Sequence, residues 1–293
     1  MKRAAGGAEA RYEMMTRESI PKLIARLSVP TILSMLISNI YNLVDTAFVG
    51  QLGTSQSAAI GVVFGFMAII QAVGFLFGQG AGSISARLLG ARDEEGASRV
   101  ASSGVVCSFG LGVVISVVAA CFIDPIIRLL GSTETIAPYA KQYMTYILIA
   151  APAMTCSYTM NNLLRYEGKA SLGMVGMMIG AILNIALDPL LMFALNMGIA
   201  GAAIATASSQ IISFFILMSM YLRRKTTIQV SPRKADFRVK TIGDITTTGM
   251  PSLLRQVLNS LATILLNSSA APYGDEAVAA MSIVARVSFF VFA

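Results

Sequence analysis

The sequence has no histidine, and its three cysteines, Cys107, Cys121 and Cys156, lie inside apolar segments without paired spacing. This excludes the usual ligand sets of zinc sites, haem attachment and a disulfide framework. Charge is also scarce, because charged residues make up 13% of the chain and hydrophobic residues 55%. A soluble domain of this length needs more charged surface, so the composition predicts a membrane protein. Without histidine, a metal site or an activated nucleophile, the protein is not expected to be an enzyme.

Long apolar runs set the predicted architecture. About 20 apolar residues cross a bilayer as an α-helix. Seven complete runs cover 29–50, 58–82, 100–122, 139–160, 172–195, 199–222 and 250–271, and an eighth begins near Ala277. The sequence therefore predicts an all-α polytopic membrane protein. The first 27 residues have no apolar core followed by a cleavage site, so no cleaved signal peptide is expected. The eighth run still continues at Ala293, and we expect a chain truncated within its second lobe.

The basic residues predict the orientation of the spans. Of the 22 Lys and Arg residues, 18 fall on one side of the predicted spans, and only Arg128 and Lys141 fall on the other. The positive-inside rule then places the N-terminus in the cytoplasm and the protein in the cell (inner or plasma) membrane. The basic pI of about 9.5 follows from this topology, so no nucleic-acid partner is needed to explain it.

A weak internal match indicates two parallel repeats. It pairs Pro30 with Pro251 and Gly53 with Gly274, and six spans separate the two starts. If the second copy matched the first, roughly 150 further residues would complete a six-plus-six plan. We divide the chain into a cytoplasmic segment with an interfacial helix (1–28), a six-helix lobe (29–222), a basic cytoplasmic loop (223–249) and the start of a second lobe (250–293).

Two carboxylates lie well inside predicted spans. They are Asp45 in span one and Asp188 in span five. Inserting a charged side chain at the centre of a span costs about 2.5–3.5 kcal/mol, so both are functional candidates. Counting from the outer turns places both, together with Thr206 of span six, roughly 12 Å below the surface. Asn184 lies one helical turn from Asp188, and Pro189 frees a backbone carbonyl. Such an oxygen-rich pocket suits a hard cation or a shared proton, although polar groups inside spans also serve as hydrogen-bonding contacts between helices.

Other polar residues inside spans are weaker candidates for lining a substrate cavity. They are Asn39, Asn42, Gln71 and Asn161, and the chain also contains 17 methionines. Soft methionines and scattered amides can line an adaptable drug cavity. Helix packing and hydrogen bonds between helices are the commoner explanation for such residues.

Four stretches carry a family resemblance. They are PTILSMLISNIYNLVDTAFVGQLG (30–53), LLRYEGKAS (163–171), NIALDPLLMF (184–193) and GIAGAAIATASSQ (198–210). In this order they resemble the multidrug and toxic compound extrusion (MATE) transporters. The resemblance implies a monomer of two six-helix lobes that exchanges H⁺ or Na⁺ for cationic amphipathic drugs, without a cofactor.

In the damage-inducible (DinF-like) prokaryotic branch, the resemblance implies a cation or proton site at Asp45, Asn184, Asp188 and Thr206. Other branches place an essential acid in span seven, and this sequence has none between Met250 and Ala271. The alternatives are a lipid or lipid-linked oligosaccharide flippase of the same superfamily, and a fragment without activity. The acids of spans one and five favour cations over the lipid substrates.

Overall fold

The computed structural model describes residues 17–223 and 226–270, and the secondary structure in these ranges is entirely helical. The long helices are α1 (Ile20–Gly50), α2 (Thr54–Gly90), α3 (Glu94–Cys121), α5 (Ala137–Tyr166), α6 (Ala170–Pro189), α7 (Gly198–Leu222) and α8 (Val239–Ala270). A short helix, α4 (Ile123–Leu129), follows α3. The predicted all-α fold is confirmed. The eighth predicted span, which contains Arg286, lies outside the described residues.

Helix length and composition agree with a membrane-spanning protein. Within the described ranges, four helices are long and apolar enough to cross a bilayer, covering Ser55–Gly90, Glu94–Cys121, Ala170–Ala194 and Gly198–Leu222. Helices α1, α5 and α8 contain 31, 30 and 32 residues, which is also sufficient length for a crossing. On α3 a row of large apolar side chains is exposed, comprising Val113, Val114, Val117 and Val118. Such an outward apolar face is expected where a helix contacts lipid.

Helix α5 forms the centre of the bundle. It packs against α2, α3, α6 and α7, whereas α1 packs mainly against α6 and α8 packs against α2. Apolar side chains along α5 form two core clusters, one around Tyr143 and Met154 and another around Leu163 and Leu164. The central position of α5 allows side chains of four neighbouring helices to meet in the interior.

Two helices continue through proline. Helix α1 runs from Ile20 through Pro30 to Gly50, so the amphipathic stretch at 20–27 and the first predicted span form one continuous helix. Helix α8 likewise continues through Pro251. Proline is tolerated inside membrane helices because neighbouring groups satisfy the carbonyl that it leaves without a donor.

The end of α6 departs from α-helical geometry where proline interrupts its hydrogen bonds. After Pro189 the chain forms a π-helical turn over Leu190–Ala194, in which Met192 is buried. The reversal that follows uses left-handed backbone at Asn196 (φ 52°) and Gly198 (φ 55°). Asparagine and glycine adopt that conformation most readily, so the short gap between the predicted spans 172–195 and 199–222 has a clear basis in the sequence.

The linker between α7 and α8, residues 226–238, is bound to the bundle through its main chain. Serines of α3 accept hydrogen bonds from its amides, at 3.0 Å from Gln229 to Ser98, 3.0 Å from Ser231 to Ser102 and 2.8 Å from Asp236 to Ser103. The linker side chains Ile228 and Val230 are buried in the core. These contacts fix the position at which α8 begins.

A buried ion pair joins the turn between α5 and α6 to the same linker. The Lys169 ammonium lies 2.5 Å from Glu167 Oε1, and the two side chains are 4% and 1% exposed. The backbone amide of Thr227 donates to the same carboxylate oxygen. A charge-assisted contact of this kind ties the linker to both adjoining helices.

Candidate functional site

Asn184 connects a carboxylate on α6 to a hydroxyl on α7. Its amide nitrogen lies 3.2 Å from Asp188 Oδ1 and 3.4 Å from Thr206 Oγ1. Asn184 and Asp188 are four residues apart and therefore share one face of α6. All three side chains are buried, with exposures of 2%, 0% and 3% for Asn184, Asp188 and Thr206. The structure thus brings together three of the four predicted site residues, Asn184, Asp188 and Thr206.

The fourth predicted residue, Asp45, reaches the same region from α1. It is also buried, and its carboxyl group interacts electrostatically with that of Asp188. The packing of α1 against α6 brings the two carboxyl groups into the same region. Two carboxyl groups that are buried near each other repel when both are ionised, which favours a shared proton or a bound cation.

Tyr143 of α5 completes the cluster, and our sequence analysis did not select it. Its hydroxyl donates to Thr206 Oγ1 at 3.4 Å, and the side chain is fully buried. Counting from Ala137, where α5 begins, places Tyr143 about 9 Å into the helix. Depth counting started from the acids and so missed it, because a tyrosine inside a span is ordinary and gives no such signal.

Several oxygens of the cluster have no hydrogen-bond partner among the described residues. They are Asp45 Oδ1, Asn184 Oδ1 and Asp188 Oδ2. Leaving a buried acceptor unsatisfied costs about 1–3 kcal/mol, and more for a charged group, so such atoms require an explanation. A proton, a water molecule or a hard cation would satisfy them, because hard cations take oxygen ligands.

The composition of the cluster limits the ions that fit it. The part of the chain that the structure describes contains no group of three or more His, Cys, Asp or Glu residues suited to a metal ion. Two carboxylates accompanied by an amide and a hydroxyl provide at most two negative charges. All of these groups are oxygen donors, which suits a proton or a hard cation.

A polar slot opens beside the cluster between α6 and α7. It is small, because the space that a water-sized sphere can occupy is about 10 Å³, room for at most one water molecule. Its lining consists of Met177, Gly180, Ala181 and Asn184 on α6, and Thr206, Ser209, Gln210 and Ser213 on α7. The slot therefore shares Asn184 and Thr206 with the carboxylate cluster.

Two of the four weaker cavity candidates, Asn161 and Gln71, do not join this cluster. Asn161 donates to the carbonyl of Gly173 at 3.2 Å and so connects α5 to α6, which is a helix-packing contact. Gln71 is half-buried on α2, a helix that contributes no residue to the cluster or the slot. The side chains of Asn39 and Asn42 lie outside the described residues.

The chain is similar to one protein family and to several multidrug export proteins. The MatE family model matches residues 30–190. The multidrug export protein MepA of Staphylococcus haemolyticus (strain JCSC1435) is 30% identical over 273 residues, which cover 93% of this chain and 60% of that protein. MepA of Staphylococcus aureus (strain MRSA252) is 29% identical over 270 residues, covering 92% and 60%. The chain thus spans about 60% of the length of these relatives.

Solved structures show the same similarity in three dimensions. A MOP superfamily transporter from Pyrococcus furiosus, described by the reverse polarity of its binding pocket, superposes with a TM-score of 0.87 and 34% identity, over 94% of this chain and 62% of that one. A MATE transporter in complex with MaL6 gives a TM-score of 0.88 and 34% identity with the same coverage. With a family model matched over more than half of its length, the chain belongs to the MatE family, the MATE transporters.

Proposed function

We propose that this protein functions as an antiporter that exports cationic amphipathic drugs and other toxic compounds in exchange for H⁺ or Na⁺. Its ion site consists of Asp45, Asn184, Asp188 and Thr206. The observation that carries the proposal is the set of buried oxygens without partners on Asp45, Asn184 and Asp188. The family membership and the multidrug export proteins among the relatives support drugs as the exported solute.

The orientation follows from charge. The positive-inside rule supports a cytoplasmic N-terminus in the cell membrane, with the α2–α3, α5–α6 and α7–α8 connections on the cytoplasmic side. The bilayer and small cationic molecules are the proposed partners, and the functional unit is a monomer.

The coupling mechanism rests on the carboxylate pair. Asp45 lies on α1, which packs mainly against the helix that holds Asp188. Loading of a proton or Na⁺ removes the repulsion between the two carboxylates, so it changes the free energy of that helix contact. Ion and solute are coupled when the conformations that differ in this contact also bind the exported solute with different affinities.

The test is gradient-driven efflux of ethidium, a cationic amphipathic dye, with pH and Na⁺ gradients imposed separately. Asp45→Asn and Asp188→Asn should each abolish the gradient-driven part while the amount of protein in the membrane stays unchanged. Asp124→Asn is the matched control, because Asp124 is an exposed carboxylate that pairs with Lys141 at 2.8 Å. Undiminished efflux in Asp188→Asn would refute the ion site, and efflux indifferent to both gradients would refute antiport. Movement of labelled lipid instead of dye would favour the flippase alternative.

A further inference from the structure

The slot between α6 and α7 is bordered by three oxygen atoms without a hydrogen-bond partner among the described residues. They are Asn184 Oδ1 on α6, and Ser209 Oγ and Gln210 Oε1 on α7. The three residues are only 2%, 2% and 8% exposed, so their oxygens are removed from bulk solvent. Because a buried polar atom without a partner is costly, each of the three requires a hydrogen-bonding group that the described residues do not supply.

The size of the slot matches one water molecule. The space that a water-sized sphere can occupy is about 10 Å³, close to the smallest cavity that holds a water. On the side away from the carboxylates the two helices are in close contact, since a Cβ on Gly180 would lie 3.0 Å from Ser213 Cβ. There Ser213 Oγ donates to the carbonyl of Gly176 at 3.0 Å, so its hydrogen is already used. The slot is therefore too small for more than a single water molecule.

The chemistry of the three oxygens also matches water. The amide oxygens of Asn184 and Gln210 only accept hydrogen bonds, so neither can satisfy the other. A water molecule has two hydrogens to donate, one for each amide oxygen, and it can accept from the Ser209 hydroxyl. This arrangement gives three hydrogen bonds, the usual number for a buried water. The side chains that line the slot carry no charge, which favours water over a cation.

Asn184 connects the slot to the carboxylate cluster. The nitrogen of its amide lies 3.2 Å from Asp188 Oδ1 and 3.4 Å from Thr206 Oγ1. The oxygen of the same planar group is the atom without a partner. A hydrogen bond donated to that oxygen therefore holds the nitrogen in the orientation that donates to Asp188.

We propose that one water molecule binds between Asn184, Ser209 and Gln210, and that it fixes the Asn184 amide in the orientation that donates to Asp188. Ser209 and Gln210 are then positioning residues for the ion site, because they act on the ion only through the water and Asn184. This role toward the ion rests on the proposed function, whereas the water site itself does not. Without the water, the Asn184 amide must be ordered each time an ion binds, which weakens ion binding.

A crystal structure of the full chain, at a resolution that shows ordered water, tests the site directly. The wild type should show one water peak within hydrogen-bond distance of Asn184 Oδ1, Ser209 Oγ and Gln210 Oε1. The double variant Ser209→Ala/Gln210→Met leaves only one of these partners, so the peak should disappear. A wild type without the peak, or with a peak at the shorter contacts of a coordinated cation, would overturn the proposal.

The effect on the ion is measured by ethidium efflux at a series of imposed Na⁺ or H⁺ gradients. Gln210→Met and Ser209→Ala should each raise the ion concentration for half-maximal efflux about fivefold, the change expected for one neutral hydrogen bond, and leave the maximal rate nearly unchanged. A general loss of folded protein would lower the maximal rate instead. Ser209→Ala is the smaller change and keeps the test valid if Gln210→Met does not fold.

Ser108→Ala is the matched control, because Ser108 is similarly buried but lies on α3 outside the slot. It should leave the half-maximal ion concentration unchanged. A shift in this control as large as that in Ser209→Ala would show that loss of any buried hydroxyl has the same effect, and the positioning role would be wrong.

Three results separate this inference from the proposed function. If the water is present but neither variant changes the half-maximal ion concentration, the positioning role is wrong and antiport stands. If the water is absent while efflux follows the imposed gradients, the inference fails alone. If wild-type efflux ignores both gradients, antiport fails and the positioning role fails with it, while the crystal structure still decides the water site.

Discussion

Breaking the Glu167–Lys169 pair should be among the most destabilising single changes at the end of the bundle where α5 turns into α6. The two side chains are almost fully buried, and the ammonium lies 2.5 Å from the carboxylate oxygen that also receives the Thr227 amide. Lys169→Met preserves most of the side-chain volume but leaves the Glu167 carboxylate without its cation. Removing one partner of a buried pair costs about 3–5 kcal/mol, because the remaining charge stays desolvated.

An ion pair that is exposed to solvent provides a control in the same chain. Asp124 and Lys141 form a pair at 2.8 Å, but their side chains are 66% and 50% exposed. Solvent screens such a pair, so Asp124→Asn should cost at most about 1 kcal/mol. The double variant Glu167→Gln/Lys169→Met removes both buried charges and should recover much of the loss seen in Lys169→Met, because no desolvated charge is then left without a partner.

The assay is unfolding of the purified protein in detergent by titration with SDS, followed by far-UV circular dichroism. A difference of about 3 kcal/mol between Lys169→Met and Asp124→Asn corresponds to more than a hundredfold change in the unfolding equilibrium. Equal destabilisation by the two variants would refute the reasoning. A double variant no more stable than Lys169→Met would show that the residues stabilise the fold through packing rather than charge.

Two further predictions concern helix packing and the linker. A Cβ on Gly80 would lie 2.1 Å from the carbonyl oxygen of Ile245, whereas a Cβ on Gly110 would have no neighbour within 4 Å. Gly80→Ala should therefore lower the melting temperature of the protein in detergent, and Gly110→Ala should leave it unchanged. A drop for Gly110→Ala of the same size would contradict this. The Arg238 amide and neighbouring groups lower the pKa of Asp236. The ionised Asp236 therefore stabilises the linker at any pH above the usual aspartate pKa. This stabilisation is lost as the pH falls through the lowered pKa of Asp236. Amide exchange in the linker, corrected for its intrinsic pH dependence, should become less protected at acid pH in the wild type and show no such transition in Asp236→Asn.

Much of the fold follows from simple rules of hydrophobicity and turn chemistry. Each of the seven predicted spans falls on a helix, and the reversal at 196–198 uses the residues that adopt left-handed backbone most readily. Helix ends and continuity were harder to predict. Hydropathy places the start of a span where polarity ends, but α1 and α8 extend further toward their N-termini because amphipathic turns continue the helix through Pro30 and Pro251.

The site residues that could be predicted from the sequence are those that are energetically costly inside a membrane span. A carboxylate inside a span is expensive, so Asp45 and Asp188 stand out in the sequence. Tyr143 and Gln210 carry no such cost signal, because tyrosine and glutamine occur inside spans for ordinary packing. The burial of Glu167 was also invisible, since it depends on the linker folding back some 60 residues later to cover a residue that the sequence places in a loop.

The attachment of the linker has a consequence for how the chain tolerates change. Ser98, Ser102 and Ser103 accept hydrogen bonds from linker amides, which every residue except proline possesses. Substitutions along this stretch, apart from proline at a bonded position, therefore preserve the hydrogen bonds. An inserted or deleted residue shifts every later amide out of register. The spacing between α7 and α8 is thus under tighter constraint than the identity of most residues that fill it, and an epitope tag placed there would disturb the protein more than a series of point substitutions.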